Sequence, residues 1–139
     1  MNVRLMALCD YASQTREGKL NMMGIFDALF AASFPVRHPS MFLVLRLEVA
    51  PSEIGHDQTM IVKIADEDGR KLLELQGKLT TNRPDGRTLT YRPFHLDNLL
   101  HLQQIEFPHA GEYRVDVLVN SQAVAALPLH LVQREGPGV

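Results

Sequence analysis

The residues best suited to acid–base or metal chemistry in this sequence are its six histidines, which are His38, His56, His95, His101, His109 and His130. An imidazole titrates near neutral pH and is a common metal ligand. The densest local group is His95, Asp97 and His101, in which strand alternation would place His95 and Asp97 on one face. A metal site needs three or four convergent ligands, and no histidine pair has a recognised zinc spacing. We therefore favour exposed or backbone-bonded histidines and predict no metal and no cofactor.

The single cysteine, Cys9, excludes an intramolecular disulfide and any zinc site built from paired cysteines. A catalytic thiol needs a partner base and a lowered pKa, which no motif around Cys9 indicates. Cys9 alternates in phase with Val3, Leu5 and Ala7, which places the four residues on one face of a strand. We therefore interpret Cys9 as a small core residue. The sequence also has no Gly-rich phosphate loop and no G-x-S-x-G motif, and we predict that the protein is not an enzyme.

Two charged clusters lie in predicted loops. Asp66, Glu67 and Asp68 resemble a fragment of a calcium loop, but basic residues follow them, and a solvated hairpin turn is the favoured interpretation. The second cluster lies within residues 81–107 and is a candidate site for a small ligand or a carbohydrate, formed by Arg83, Arg87, Tyr91, Arg92 and His95. Basic and aromatic residues also interleave in single-strand nucleic-acid binders. However, 14 basic against 16 acidic side chains give a net charge of −2, so we expect no nucleic-acid partner.

The segment from residue 22 to residue 34 is strongly apolar and carries one charge, that of Asp27. Its large side chains form a candidate interface, consisting of Met22, Met23, Ile25, Phe26, Leu29, Phe30 and Phe34. The competing interpretation is core, because a strand buried on both faces reads as continuous apolar sequence. A two-layer sandwich buries only one face of each strand, so the apolar surplus favours self-association or another protein partner.

Length and composition indicate one globular domain. The chain has 139 residues, 45% of them apolar, and we predict a single domain over residues 1–132 with a flexible tail over residues 133–139. The apolar run between Arg4 and Asp10 is too short for a signal peptide, and no stretch approaches the ~18 apolar residues of a membrane span. We expect a cytoplasmic protein without a membrane partner, for which a lone reduced thiol is typical.

The dominant period of the sequence is two, which is typical of β-strands. Residues 41–49 show this period clearly. One face carries Met41, Leu43, Leu45, Leu47 and Val49, and the other face is apolar at one end and polar at the other. Asp68-Gly69 between two alternating runs predicts a hairpin turn, and Asn120-Ser121-Gln122 predicts a second. Leu127, Leu129 and Leu131 are predicted to face inward, and Pro128 predicts either an edge strand or a proline at an outward-facing N position.

Short strands separated by turn residues, about eight in number, predict an all-β fold, an antiparallel two-sheet β-sandwich. Residues 20–26 read as a strand with two apolar faces. Residues 25–33 fit either a strand or a helix, and we favour a strand to about Asp27. No long amphipathic helix is evident, which argues against βαβ units.

Two resemblances follow from short motifs. The Gly111-x-Tyr113 pair in HAGEYRVDV resembles the tyrosine corner of immunoglobulin-like sandwiches, although Val115 stands where antibody-type domains have a cysteine. Most of the chain resembles a family of small bacterial cytosolic proteins of unknown function, on the motifs LCDYA, GKL, GIFD, FP…HP and GEYRVDVLVNSQAVAALPLHL. That resemblance implies a β-sandwich and a cytosolic setting, and it brings no catalytic residues. We therefore expect a non-enzymatic, self-associating interaction module, with small-ligand binding as the alternative.

Overall fold

The computed structural model of the chain describes residues 1–81 and 94–135, which form nine β-strands and a 3-10 turn at Pro51–Glu53. The strands are β1 (Asn2–Gln14), β2 (Leu20–Phe26), β3 (Ala28–Ala31), β4 (Val36–Val49), β5 (Gln58–Asp66), β6 (Lys71–Leu79), β7 (Phe94–Phe107), β8 (Gly111–Val119) and β9 (Gln122–Gln133). Over these residues the chain contains no α-helix and no helical segment long and apolar enough to span a bilayer. The all-β prediction is confirmed.

The strands form two sheets, with the orders β2-β1-β4-β7 and β3-β9-β8-β5-β6. Six of the seven strand pairs are antiparallel, but β3 pairs with β9 in parallel, so the prediction of a wholly antiparallel fold is wrong at this point. The cause is a change of sheet at Asp27, where the chain leaves β1 and joins the edge of the other sheet beside β9. The sequence led us to expect about eight strands because it did not separate β2 from β3.

Both predicted hairpin turns are confirmed. Gly69 has φ +84°, and the N–H of Asp66 donates to the carbonyl of Arg70 at 2.9 Å. Asn120 and Ser121 both have positive φ, as the tight turn between β8 and β9 requires. Glu67 and Asp68 are exposed in this turn, as predicted, whereas Asp66 is buried at the end of β5.

The main core fills the space between the inward faces of the two sheets. Met41, Leu43, Leu45 and Leu47 of β4 are fully buried against residues of the second sheet that include Val62, Ile64, Val115 and Val117. Leu129 and Leu131 are buried and Leu127 packs against them at the margin, as predicted. Pro128 lies beyond the four positions at which β3 covers β9, so its missing N–H falls on a free edge.

Tyr113 has the hydrogen bond that the Gly-x-Tyr motif predicts. Its side chain is 2% exposed, and its hydroxyl donates to the carbonyl of His109 at 2.7 Å. Its ring packs edge-on against Phe107 at 5.2 Å. The tyrosine thus fixes the turn that leads from β7 into β8.

Parts of the predicted ligand site and of the predicted tail lie outside the described residues. Arg83, Arg87, Tyr91 and Arg92 of the predicted ligand site lie outside the described residues. So do residues 136–139 of the predicted tail. Of the remaining tail residues, Gln133 pairs with Ala31, and the N–H of Arg134 donates to the Ala31 carbonyl at 2.8 Å.

Candidate functional site

A second apolar cluster lies on the outer face of the four-stranded sheet, the face turned away from the main core. We call it the outer cluster; Cys9, Ala12 and Val44 are buried at its centre, and Leu5, Leu20, Met22, Phe42 and Leu99 surround them. Phe42 and Val44 alternate along β4 with the main-core residue Leu43, which places them on opposite faces. All members belong to strands β1, β2, β4 and β7 of the same sheet. The outer cluster is therefore formed by one sheet alone.

The position of Cys9 corrects its predicted role. Cys9 is fully buried, as predicted, but it belongs to the outer cluster, whereas Val3 packs against the main core. The pairing of β1 with β4 shifts register between Val3 and Leu5, so residues on either side of the shift face different layers. Burial, followed by the charge of Asp10, raises the pKa of the Cys9 thiol. The raised pKa favours the neutral thiol over the thiolate, which is the nucleophilic form of cysteine.

The predicted interface residues separate into three groups. Phe26, Leu29 and Phe34 are partly buried and pack against the main core. Met22 joins the outer cluster. Met23 and Ile25 are exposed to 65% and 63%, and Phe30 to 44%. Strand β2 contributes residues to all three groups, so the position of each side chain along the strand, and not the strand itself, decides its group.

Met23 and Ile25 lie on β2, an edge strand of the four-stranded sheet. Tyr11, which is paired with Met23, is 53% exposed and contacts Phe42 of the outer cluster edge-on at 5.8 Å. We call Tyr11, Met23 and Ile25 the edge patch. It continues the outer cluster to the border of the sheet, where the outer backbone groups of β2 have no strand partner among the described residues. Tyr11 was missed in the sequence because it lies outside the apolar run of residues 22–34.

The opposite part of the outer face is polar and contains the predicted histidine cluster. Asp97 accepts two hydrogen bonds from Arg46, at 2.8 and 3.0 Å, and is held as an ion pair. The ring of His101 stacks on Phe42 at 4.4 Å, and its Nε2 is 2.6 Å from Ser40 Oγ. His95 Nε2 lies 3.8 Å from the carboxylate of Glu48. Each group thus has its own structural partner.

Metal binding gains no support from this arrangement. Over residues 1–81 and 94–135, no three side chains of the metal-binding types are grouped closely enough to hold an ion. His95 is also the one predicted small-ligand residue that the structure describes, and it lies beside Glu48.

Comparison with solved structures gives a distant likeness. One matching chain is the alkylpurine DNA glycosylase AlkC of Pseudomonas fluorescens, bound to DNA containing an abasic site analogue. The match has 13% sequence identity and a TM-score of 0.45, and it covers 94% of this chain but 30% of the glycosylase chain. This chain therefore spans less than a third of the length of that protein. No curated protein matches the sequence.

We correct one prediction, that nucleic acid is excluded as a partner. A matching chain was solved with DNA bound, and a net charge of −2 describes the whole molecule rather than any one surface. We withdraw that exclusion. At a TM-score of 0.45 the likeness carries no argument about what this chain binds.

The sequence itself matches a family model over residues 4–132, which is nearly the whole of the described fold. This agrees with the chain-wide resemblance found in the sequence motifs and brings no assigned activity with it. The chain belongs to DUF6941, a family of unknown function.

Proposed function

We propose that the chain is a non-enzymatic assembly module that forms a homodimer through strand β2 and the edge patch. The observation that carries this proposal is an uncharged, apolar edge strand. Over Leu20–Phe26, β2 has no charged residue, and Met23 and Ile25 are the most exposed of the large apolar side chains described. Soluble proteins usually protect such an edge with charge, proline or a covering segment, because exposed edges pair with other chains.

The other three edge strands of the described sheets have the protection that β2 lacks. Strand β6 carries Lys71, Glu74 and Lys78, and β7 carries His95, Asp97 and Glu106. Strand β3 is only four residues long, and the guanidinium of Arg134 lies 5.3 Å from the centre of its Phe30 ring. The contrast within one molecule supports a specific use for β2.

A second copy of the chain is the partner that best fits this edge. Two β2 strands related by a two-fold axis would pair antiparallel, and each would satisfy the free backbone groups of the other. The seven residues of β2 extend over about 24 Å. The same symmetry would bring the two edge patches together and remove Met23 and Ile25 from water. The strand itself carries no charge, so its own side chains do not repel each other in this pairing.

The test introduces a charge on the edge strand. We expect the wild-type chain to be a dimer at micromolar concentration by light scattering coupled to gel filtration, and Ile25→Lys to be a folded monomer. Ile25 is 63% exposed, so lysine can be solvated in the monomer, and circular dichroism should be unchanged. The matched control is Leu75→Lys on the edge strand β6, where the side chain is 38% exposed. That variant should remain a dimer.

Two results would contradict the proposal. One is a wild-type chain that stays monomeric at high micromolar concentration. The other is an Ile25→Lys variant that dimerises as tightly as Leu75→Lys.

The proposal also includes an immunoglobulin-like topology and a cytoplasmic location. The tyrosine corner formed by Tyr113 and the carbonyl of His109 supports an immunoglobulin-like sandwich topology. The fully buried thiol of Cys9 is compatible with a cytoplasmic setting, where thiols stay reduced.

A further inference from the structure

His109 lies in the turn between β7 and β8, and its ring lies between two hydrogen-bond acceptors. Nδ1 is 2.9 Å from the carbonyl oxygen of Ala110, and Nε2 is 3.3 Å from Oδ2 of Asp66. A neutral imidazole has one N–H, whereas a protonated imidazole has two. Only the protonated ring can therefore donate to both acceptors at once.

Asp66 is a fixed partner in this contact. It ends strand β5, its side chain is 1% exposed, and its Oδ1 accepts the N–H groups of Asp68 and Arg70 at 2.9 and 2.8 Å. The hydrogen bond from the Arg70 backbone, with those from His109 and Asp68, holds the pKa of this carboxyl below its usual range. Asp66 consequently stays ionised while His109 titrates.

The other groups around the His109 ring carry charges of both signs. Tyr113 stacks on the ring at 5.5 Å, and a Cβ at Gly111 would lie 3.2 Å from Glu67 Oε1 and 3.7 Å from His109 Nδ1, so Glu67 is close by. On the other side, His109 lines a cleft of about 630 Å³ together with Arg70, Lys71 and Glu106. The Ala110 carbonyl, followed by Asp66, raises the pKa of His109.

We propose that His109 is a proton-controlled latch, which in its protonated form ties the β7–β8 turn to the β5–β6 turn through Asp66. Asp66 also lines a second cleft of about 540 Å³, together with Tyr113, so the latch lies between two surface clefts. When the ring loses its proton, one of its two nitrogens no longer carries a hydrogen and cannot donate to the acceptor oxygen that it faces. The tie to Asp66 then weakens, while the tyrosine corner continues to hold the turn to β8.

The sign of the pH effect follows from the direction of the shift. His109 binds its proton more tightly in the folded chain than in the unfolded chain, whose histidines titrate near about 6.5. Its contribution to stability is therefore complete below that value and is lost as pH rises through the folded-state pKa.

The experiment is an NMR titration of the histidine ring signals of the full chain. We expect His109 to titrate above about 6.5, and the Asp66→Asn variant to move that midpoint downward. The proton signals of the β5–β6 turn, such as the amides of Asp68 and Arg70, should shift with the same midpoint. A His109 midpoint at or below about 6.5 in the wild-type chain would overturn the latch, whether or not Asp66→Asn folds.

A second measurement uses thermal unfolding between about pH 6 and about pH 9. The variant His109→Gln keeps a donor toward Asp66 but cannot titrate, so its melting temperature should fall less than that of the wild type as pH rises. The control is His130→Gln, which removes a half-buried histidine 3.7 Å from Glu112 and leaves the His109–Asp66 pair in place, so the part of the pH dependence that comes from His109 should remain. Equal slopes for His109→Gln and the wild type would also overturn the proposal.

Discussion

Gly24 shows at the residue scale why one position in the apolar edge strand accepts only glycine. Its φ is +71°, a backbone conformation that L side chains rarely adopt. A Cβ at this position would lie 2.9 Å from Cγ of Asp10 and closer still to Oδ2. The side chain of Asp10 therefore occupies the space that a methyl group would need.

We expect Gly24→Ala to destabilise the fold by about 1–3 kcal/mol, because it combines a strained φ with steric overlap. The matched control is Gly77→Ala in β6, where an added Cβ meets no atom within 4 Å and the φ is not positive. That change should be neutral or stabilise by up to about 1 kcal/mol. Urea unfolding measures both, and an unchanged stability of Gly24→Ala would contradict the argument.

Residue roles set by local chemistry were predictable, and roles set by distant pairing were not. The bond of Tyr113 to a backbone carbonyl four residues upstream follows from a short motif. The cluster to which Cys9 belongs depends on a register shift between β1 and β4, which no sequence window reveals. The contact of His109 with Asp66 joins residues 43 positions apart and was not predicted.

At the scale of elements, hairpins were predictable and the change of sheet was not. Each hairpin joins strands that are adjacent in sequence, so turn residues and alternation suffice. The pairing of β3 with β9 joins residues about a hundred positions apart, as in Ala28 with His130. The mixed strand and helix periodicity of residues 25–33 arises because the chain turns from one sheet to the other at Asp27.

We expect the amides of strand β3 to be less protected from hydrogen exchange than those of strand β8. It pairs over four positions on one side only, whereas β8 is central and pairs with both β5 and β9. Tyr113, Val115 and Val117 of β8 are at most 2% exposed. We expect amides of β3 to exchange through local opening, well before those of β8, which need global unfolding. Equal protection of the two strands in mass spectrometry or NMR would show that β3 opens only with the whole fold.

At the scale of the whole molecule, one sheet has apolar residues on both faces. Its inner face forms the main core with the second sheet, and its outer face carries the outer cluster beside an uncharged edge. The sheet therefore has more apolar side chains than its inner face can bury, as the sequence indicated. Only some of them belong to the predicted interface segment. Three of the seven predicted interface residues pack against the main core, and the exposed part is concentrated on β2.

If two copies associate through β2, folding and association are linked, and stability depends on protein concentration. We expect the melting temperature of the wild-type chain to rise from low to high micromolar concentration, because the dimer contains only folded chains. The Ile25→Lys variant should melt at a temperature that does not depend on concentration, and Leu75→Lys should behave as the wild type. A wild-type melting temperature that stays constant across this range, measured under reversible conditions, would mean that the apolar edge of β2 is not used for self-association.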